Sequence, residues 1–90
     1  MRIEPVEIYS DATNQAILRH PRRRFPGVLI QGDSLWRLHE QLSAALKEGA
    51  GVLSEESRLE LEDVRDFVGG CLDHYRAVLR DHGMDLPFAK

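Results

Sequence analysis

The chain predicts an α+β domain, a three-stranded antiparallel meander with two helices packed on one face in the order β-β-β-α-α. Three observations carry that expectation. Residues 3–31 are short apolar or alternating runs separated by turn chemistry, which is the pattern of small strands. Residues 34–48 carry an apolar stripe at spacings of three and four, as an amphipathic helix does. Residues 54–82 carry a longer stripe of the same kind. Ninety residues make one domain over 1–90, at the small end of what folds alone.

The elements follow in order. Ile3, Glu4, Pro5, Val6, Glu7, Ile8 and Tyr9 alternate like a half-exposed strand. Pro5 cannot donate to a ladder, so this strand starts late or lies at an edge. Ser10-Asp11-Ala12-Thr13-Asn14 is a turn, and Ala16 to Arg19 reads as the second strand of a hairpin. After the charged loop His20-Pro21-Arg22-Arg23-Arg24, the Pro26-Gly27 pair turns the chain into Val28, Leu29 and Ile30, an expected buried strand with Phe25 in the core. Gly32 ends it, and Asp33 or Ser34 caps a helix over 34–48. The apolar stripe of that helix is Leu35, Leu38, Leu42, Ala45 and Leu46. Gly49-Ala50-Gly51 stops it with a left-handed glycine.

Ser54 then caps a second helix, whose positive end suits Glu55 and Glu56. Leu61, Val64, Val68, Cys71, Leu72, Tyr75, Val78 and Leu79 form its stripe. Gly83 stops it, Pro87 bars a restart, and residues 83–90 are a tail. Gly69-Gly70 in its middle costs about 1 kcal/mol per glycine relative to alanine. Close packing against a neighbour offsets that cost; a kink splitting the helix is the alternative.

Composition narrows the function classes. Hydrophobic residues are 42% of the chain and charged residues 30%, enough for one core beneath a soluble surface. The apolar runs are too short for a bilayer, and the first residues are not followed by a signal-peptide core. The single cysteine, Cys71, excludes an internal disulfide, so the expected compartment is the cytoplasm. The net charge of −3 is unevenly spread. Residues 1–31 hold five arginines against three acids, whereas Glu55 to Asp66 holds six acids against two arginines. Such an acidic segment disfavours nucleic acid and suits a basic protein partner, or else it is a solvated helix face.

Phe25-Pro26-Gly27-Val28 followed by Gln31-Gly32-Asp33-Ser34-Leu35 resembles the N-terminal half of HicB-type antitoxins. Those carry a similar Pro-Gly, a short strand and a Gly-Asp-Ser/Thr-Leu helix start. The chain is also similar, over about residues 4–48, to small bacterial proteins with Val-Glu-Ile-Tyr-Ser, an Asn-x-Ala-Ile strand and an Arg-rich loop in this order. HicB-type proteins usually return to the sheet after the helix, and many append a DNA-binding domain. This chain continues instead into an acidic helix. The resemblance implies a protein that binds and blocks a toxin, and small acidic proteins of this sort also resemble immunity proteins.

Each candidate site has a plain alternative. Arg22, Arg23 and Arg24, beside Arg19 and His20, form a basic contact loop for phosphates, or are solvated or paired within the chain. Cys71 and His74, one turn apart, could share a metal with His39 or Asp73, but zinc needs four ligands, and Cys71 reads as a small core residue. His39-Glu40 and Asp73-His74 form an acid–base pair only if a concave site brings them together. No phosphate loop or nucleophile elbow is present. Trp36 either covers the core edge or anchors a partner, and Pro87-Phe88 either packs back on the fold or docks a partner.

The expectation is therefore a non-enzymatic protein-binding module of immunity or antitoxin type, with no catalytic residue, metal or cofactor. Glu55, Glu56, Glu60, Glu62, Asp63 and Asp66 would steer it to a basic toxin surface, and Trp36 would supply the anchor. The alternatives are a homodimer or larger homo-oligomeric adaptor joined along the second helix, and a weak nucleic-acid binder acting through Arg22 to Arg24. No membrane association is expected.

Overall fold

The structure, a computed structural model, describes residues 1–88. The last two residues of the expected tail, 89 and 90, lie outside them. The observed order is β1 (Glu7–Ser10), β2 (Ile17–Arg19), β3 (Gly27–Val28), α1 (Gly32–Glu48) and α2 (Glu55–Asp81). This is the α+β class expected: one antiparallel sheet of order β1-β2-β3, then two helices. The chain forms two compact units, Met1–Gln31 and the residues from Gly32 onward.

In the first unit β1 is an edge strand and begins at Glu7, two residues after Pro5. Ile3 to Val6 lie outside the ladder, so the strand starts late within the expected 3–9 run and lies at an edge, as the missing proline donor predicts. Glu7 faces Arg19 and Ile8 faces Leu18, but Ser10 faces Ile17, so Tyr9 is the extra residue of a bulge. β3 is shorter than expected, and Leu29 continues it by only one bond, from its N–H to the Ala16 carbonyl (2.8 Å). A second correction concerns burial. Val28, Leu29, Ile30 and Phe25 are all exposed, Phe25 by 71%. A three-stranded sheet this small cannot enclose a core between its own faces.

The second unit is a helical hairpin. α1 starts at Gly32, two residues earlier than expected, and Asp33 Oδ1 accepts from the Ser34 N–H (2.8 Å). Gly32 is buried because the Tyr75 ring lies against it: a Cβ there would overlap the ring. The core of the hairpin is Leu46, Val68 and the fully buried Leu72. On α1 the inward row is Leu35, Trp36, His39, Leu42 and Leu46, while Leu38 and Ala45 stay exposed.

α1 ends at Glu48 as expected, but Gly49 is not left-handed; Gly83 is the one residue with positive φ among those described. Gly49 serves closeness instead. Its N–H bonds to the Ala45 carbonyl, its own carbonyl accepts from Val52 and Leu53, and a Cβ there would lie 2.9 Å from Leu53. Ser54 is the N-cap of α2, its side chain accepting from the Ser57 N–H (3.1 Å). At the other end the Met84 N–H reaches the Leu79 carbonyl and the Gly83 N–H reaches that of Arg80, with Gly83 at φ 66°. This paired closure satisfies the free carbonyls of the last turn.

α2 runs unbroken through Gly69-Gly70, so the helix is not split there. Gly69 is the close-packed one: a Cβ would lie 3.2 Å from His39 Nε2 on α1. Gly70 meets nothing within 4 Å. The expected single stripe divides into two. Leu61, Val68, Leu72, Tyr75 and Leu79 are buried or half-buried, whereas Val64, Cys71 and Val78 are exposed. Cys71 is therefore not a core residue.

Candidate functional site

Helical spacing carries Glu56, Glu60, Asp63, Val64, Phe67, Cys71, His74 and Val78 along one side of α2, offset from the inward row. All of them are exposed. Phe67 is the most exposed apolar side chain on α2, at 73%, and sequence reasoning missed it. The signal was available, because Phe67 sits at spacings of three and four from Val64 and Cys71.

The six acids assigned to steering are not one patch. Glu62 is half-buried and accepts from Arg58 one turn earlier (2.8 Å), and Asp66 takes Arg65 (3.1 Å). Glu55 opens the helix. Glu56, Glu60 and Asp63 make no ion pair among the described residues; Glu60 lies one turn before Val64, Asp63 one turn before Phe67, and Glu56 one turn before Glu60. Glu56 and Glu60 also line a shallow depression with Leu53, Ser57 and Leu61. A row of unpaired carboxylates is a local source of negative potential, weakened by salt over about 8 Å at physiological strength.

Trp36 is half-buried in the hairpin. Phe88 stacks on it with ring centres 5.6 Å apart and planes 10° from parallel, and Tyr75 lies 6.3 Å from the same Phe88 ring. The guanidinium of Arg76 covers that ring at 5.4 Å. The Pro87-Phe88 tail thus packs back on the fold, and Trp36 lies beneath it.

The remaining candidates separate. His39 lies against Gly69 and shares a depression of about 400 Å³ with Asp66, Asp73 and Arg76. His74 points along the exposed side instead and does not line it. Asp73 takes Arg76 at 3.3 Å. Among the described residues no three His, Cys, Asp or Glu side chains gather where a metal could sit.

The sheet unit carries the second candidate surface. A cleft of about 450 Å³ is lined by Leu18, His20, Arg23, Arg24, Phe25, Gly27, Val28 and Leu29. The arginine loop is shaped by its own bonds: Arg22 N–H to His20 Nδ1 (3.2 Å), Arg23 N–H to the His20 carbonyl (3.0 Å), and Arg19 to the Arg23 carbonyl (3.0 Å). Arg24 sits 5.3 Å over the Phe25 ring. Across the sheet Arg19 donates to Glu7, which also accepts from Tyr9 (3.1 Å). Those two bonds, the one from Arg19 first, hold the Glu7 carboxyl below its ordinary range, and Glu7 in turn raises Arg19.

Among the described residues no helix is long and apolar enough to cross a membrane. No curated protein and no solved structure matches the chain. A family model does match, over residues 1–88, and on that match the chain belongs to DUF6959, a family of unknown function.

Proposed function

We propose that this protein is a non-enzymatic protein-binding module of the immunity or antitoxin kind, which blocks a toxin by covering its basic active surface with the exposed side of α2. The observation that supports this reading is the setting of Phe67, an exposed aromatic ring one turn after the unpaired Asp63, on the side of α2 that carries the unpaired Glu60 and Glu56 farther toward its start. Interfaces concentrate their energy in a few aromatic anchors, while surrounding charges set the encounter rate and partner choice. Phe67 takes the anchoring role that the sequence assigned to Trp36. The module works in the reducing cytoplasm, where the exposed Cys71 stays a thiol.

The test uses the product of the adjacent gene as the toxin. Co-expression of the wild-type chain restores growth, and the two proteins associate in surface-binding kinetics. Reversing Glu56, Glu60 and Asp63 to lysine slows association and flattens its salt dependence; Phe67→Ser speeds dissociation. An adjacent product that neither arrests growth nor binds the wild-type chain refutes the reading.

One observation favours a second reading, the homo-oligomeric adaptor. Gly70 leaves open space beside Phe67 in a helix interior, which a second copy of α2 could fill. Light scattering decides it: a dimer that Phe67→Ser dissociates supports the adaptor, and a monomer at every concentration excludes it.

A further inference from the structure

We infer that the open edge of β3 is a docking strip for an extended, acidic peptide segment of another protein. This surface lies in the sheet unit and is independent of α2. The register pairs Ile17 with Val28 and Leu18 with Gly27, and the Leu29 N–H bonds to the Ala16 carbonyl. Hydrogen-bonded and non-hydrogen-bonded pairs alternate in an antiparallel ladder. Val28 is therefore in a non-hydrogen-bonded pair, and its N–H and C=O point away from β2. β3 is an edge strand, so both groups face an open side. An incoming strand can pair there by the same backbone bonds that build the sheet.

The chemistry of the surroundings selects the segment. Gly27 faces Leu18 without a side chain, and a Cβ there would meet nothing within 4 Å. The missing side chain opens the floor of the cleft, and its walls are Arg23, Arg24 and Phe25. Arg23 and Arg24 make no ion pair among the described residues, so this rim presents positive charge to an incoming chain. Carboxylates on the cleft face complement that rim beside Leu18 and Leu29, and apolar side chains at the alternate positions complement Val28 on the opposite face. A single-stranded nucleic acid fits less well. Stacking of successive bases needs several aromatic faces, whereas Phe25 is the one Phe, Tyr or Trp lining the cleft and Arg24 takes one face of its ring. Nor does a phosphate backbone use the outward N–H and C=O of Val28 as a strand does.

The experiment titrates the full chain, at low salt, with a fluorescein-labelled peptide of alternating glutamate and valine. Its lysine-and-valine counterpart and a single-stranded thymidylate oligonucleotide serve as competing probes. Anisotropy reports affinity; amide shifts and hydrogen exchange report the place. The expected result is binding of the glutamate peptide alone, with shifts at Phe25, Gly27, Val28 and Leu29 and slower exchange at the Val28 amide. Gly27→Leu fills the cleft at a residue whose φ is not positive, and should weaken binding about tenfold or more, ~1.4 kcal/mol by the usual conversion. The double reversal Arg23→Glu with Arg24→Glu, on an exposed loop, should do the same without touching the ladder. Binding that ignores both variants, binding of the lysine peptide, a stronger response to the oligonucleotide, or no shift at Val28 overturns the proposal.

Discussion

The three glycines that lie within helices should answer the same substitution in different ways, and the differences follow from what each would touch. At Gly70 an alanine Cβ meets nothing. The gain is then close to the full helix-propensity difference, about 1 kcal/mol. For a domain of this size that raises the midpoint of thermal unfolding by roughly 4–8 °C. At Gly69 the same Cβ lies 3.2 Å from His39 Nε2. His39 must give by a few tenths of an ångström, so Gly69→Ala is less favourable than Gly70→Ala and its sign is set by how freely the ring shifts. At Gly32 the Cβ overlaps the Tyr75 ring. Overpacking of that kind costs about 1–3 kcal/mol. Gly32→Ala therefore lowers stability by about 1–2 kcal/mol after the propensity gain at a first-turn position. Tyr75→Phe does not relieve it, because the ring carbons are in contact as well as the hydroxyl; Tyr75→Ala does. Urea unfolding followed by helical circular dichroism and by Trp36 fluorescence measures all of these, with the Gly32/Tyr75 double-mutant cycle isolating the contact. A Gly32→Ala variant as stable as the parent, or a Gly70→Ala variant less stable, would refute the packing argument.

Three other expectations are simpler to check. Ser54→Ala removes the N-cap acceptor of α2 and should cost about 1 kcal/mol in the same urea assay, with Ser54→Asp retaining most of it. Phe88→Ala should leave Trp36 more exposed, shifting its emission to longer wavelength with little change in helix content; an unmoved emission maximum contradicts the stacking. The Glu7 carboxyl is held below its ordinary value of 4.5 by Arg19 and Tyr9. A folded-state value below the unfolded one means that this support for β1 is complete above about pH 4.5 and fades as pH falls through the folded value. The Glu7 carboxyl should titrate below 4.5 by its chemical shift, and Arg19→Leu should remove most of the lowering, leaving the part that Tyr9 supplies.

Much of the fold is legible in short stretches of sequence. Pro5 delays β1, Pro26-Gly27 turns into β3, Ser54 caps α2 and Gly83 closes it. Each acts through its own backbone and the next few residues, so no knowledge of distant neighbours is needed. The site was less legible. Periodicity shows that α2 is apolar over a wide arc, but it cannot divide Leu61, Val68 and Leu72 from Val64, Phe67 and Cys71. That division follows from which side of α2 meets α1.

The purposes of the glycines and of the tail belong to the same class. Gly32 looked like a strand breaker and is a seat for Tyr75, more than forty residues later. Gly69 and Gly70 are adjacent and look alike in sequence, yet one lies against His39 and the other against nothing. Trp36, read as an anchor, is stacked by Phe88 from the far end of the chain. Strand order, caps and helix ends are local properties and can be read along the chain. Which side chain is covered, and which glycine is irreplaceable, depends on atoms brought together across the chain, and only the packed structure supplies them.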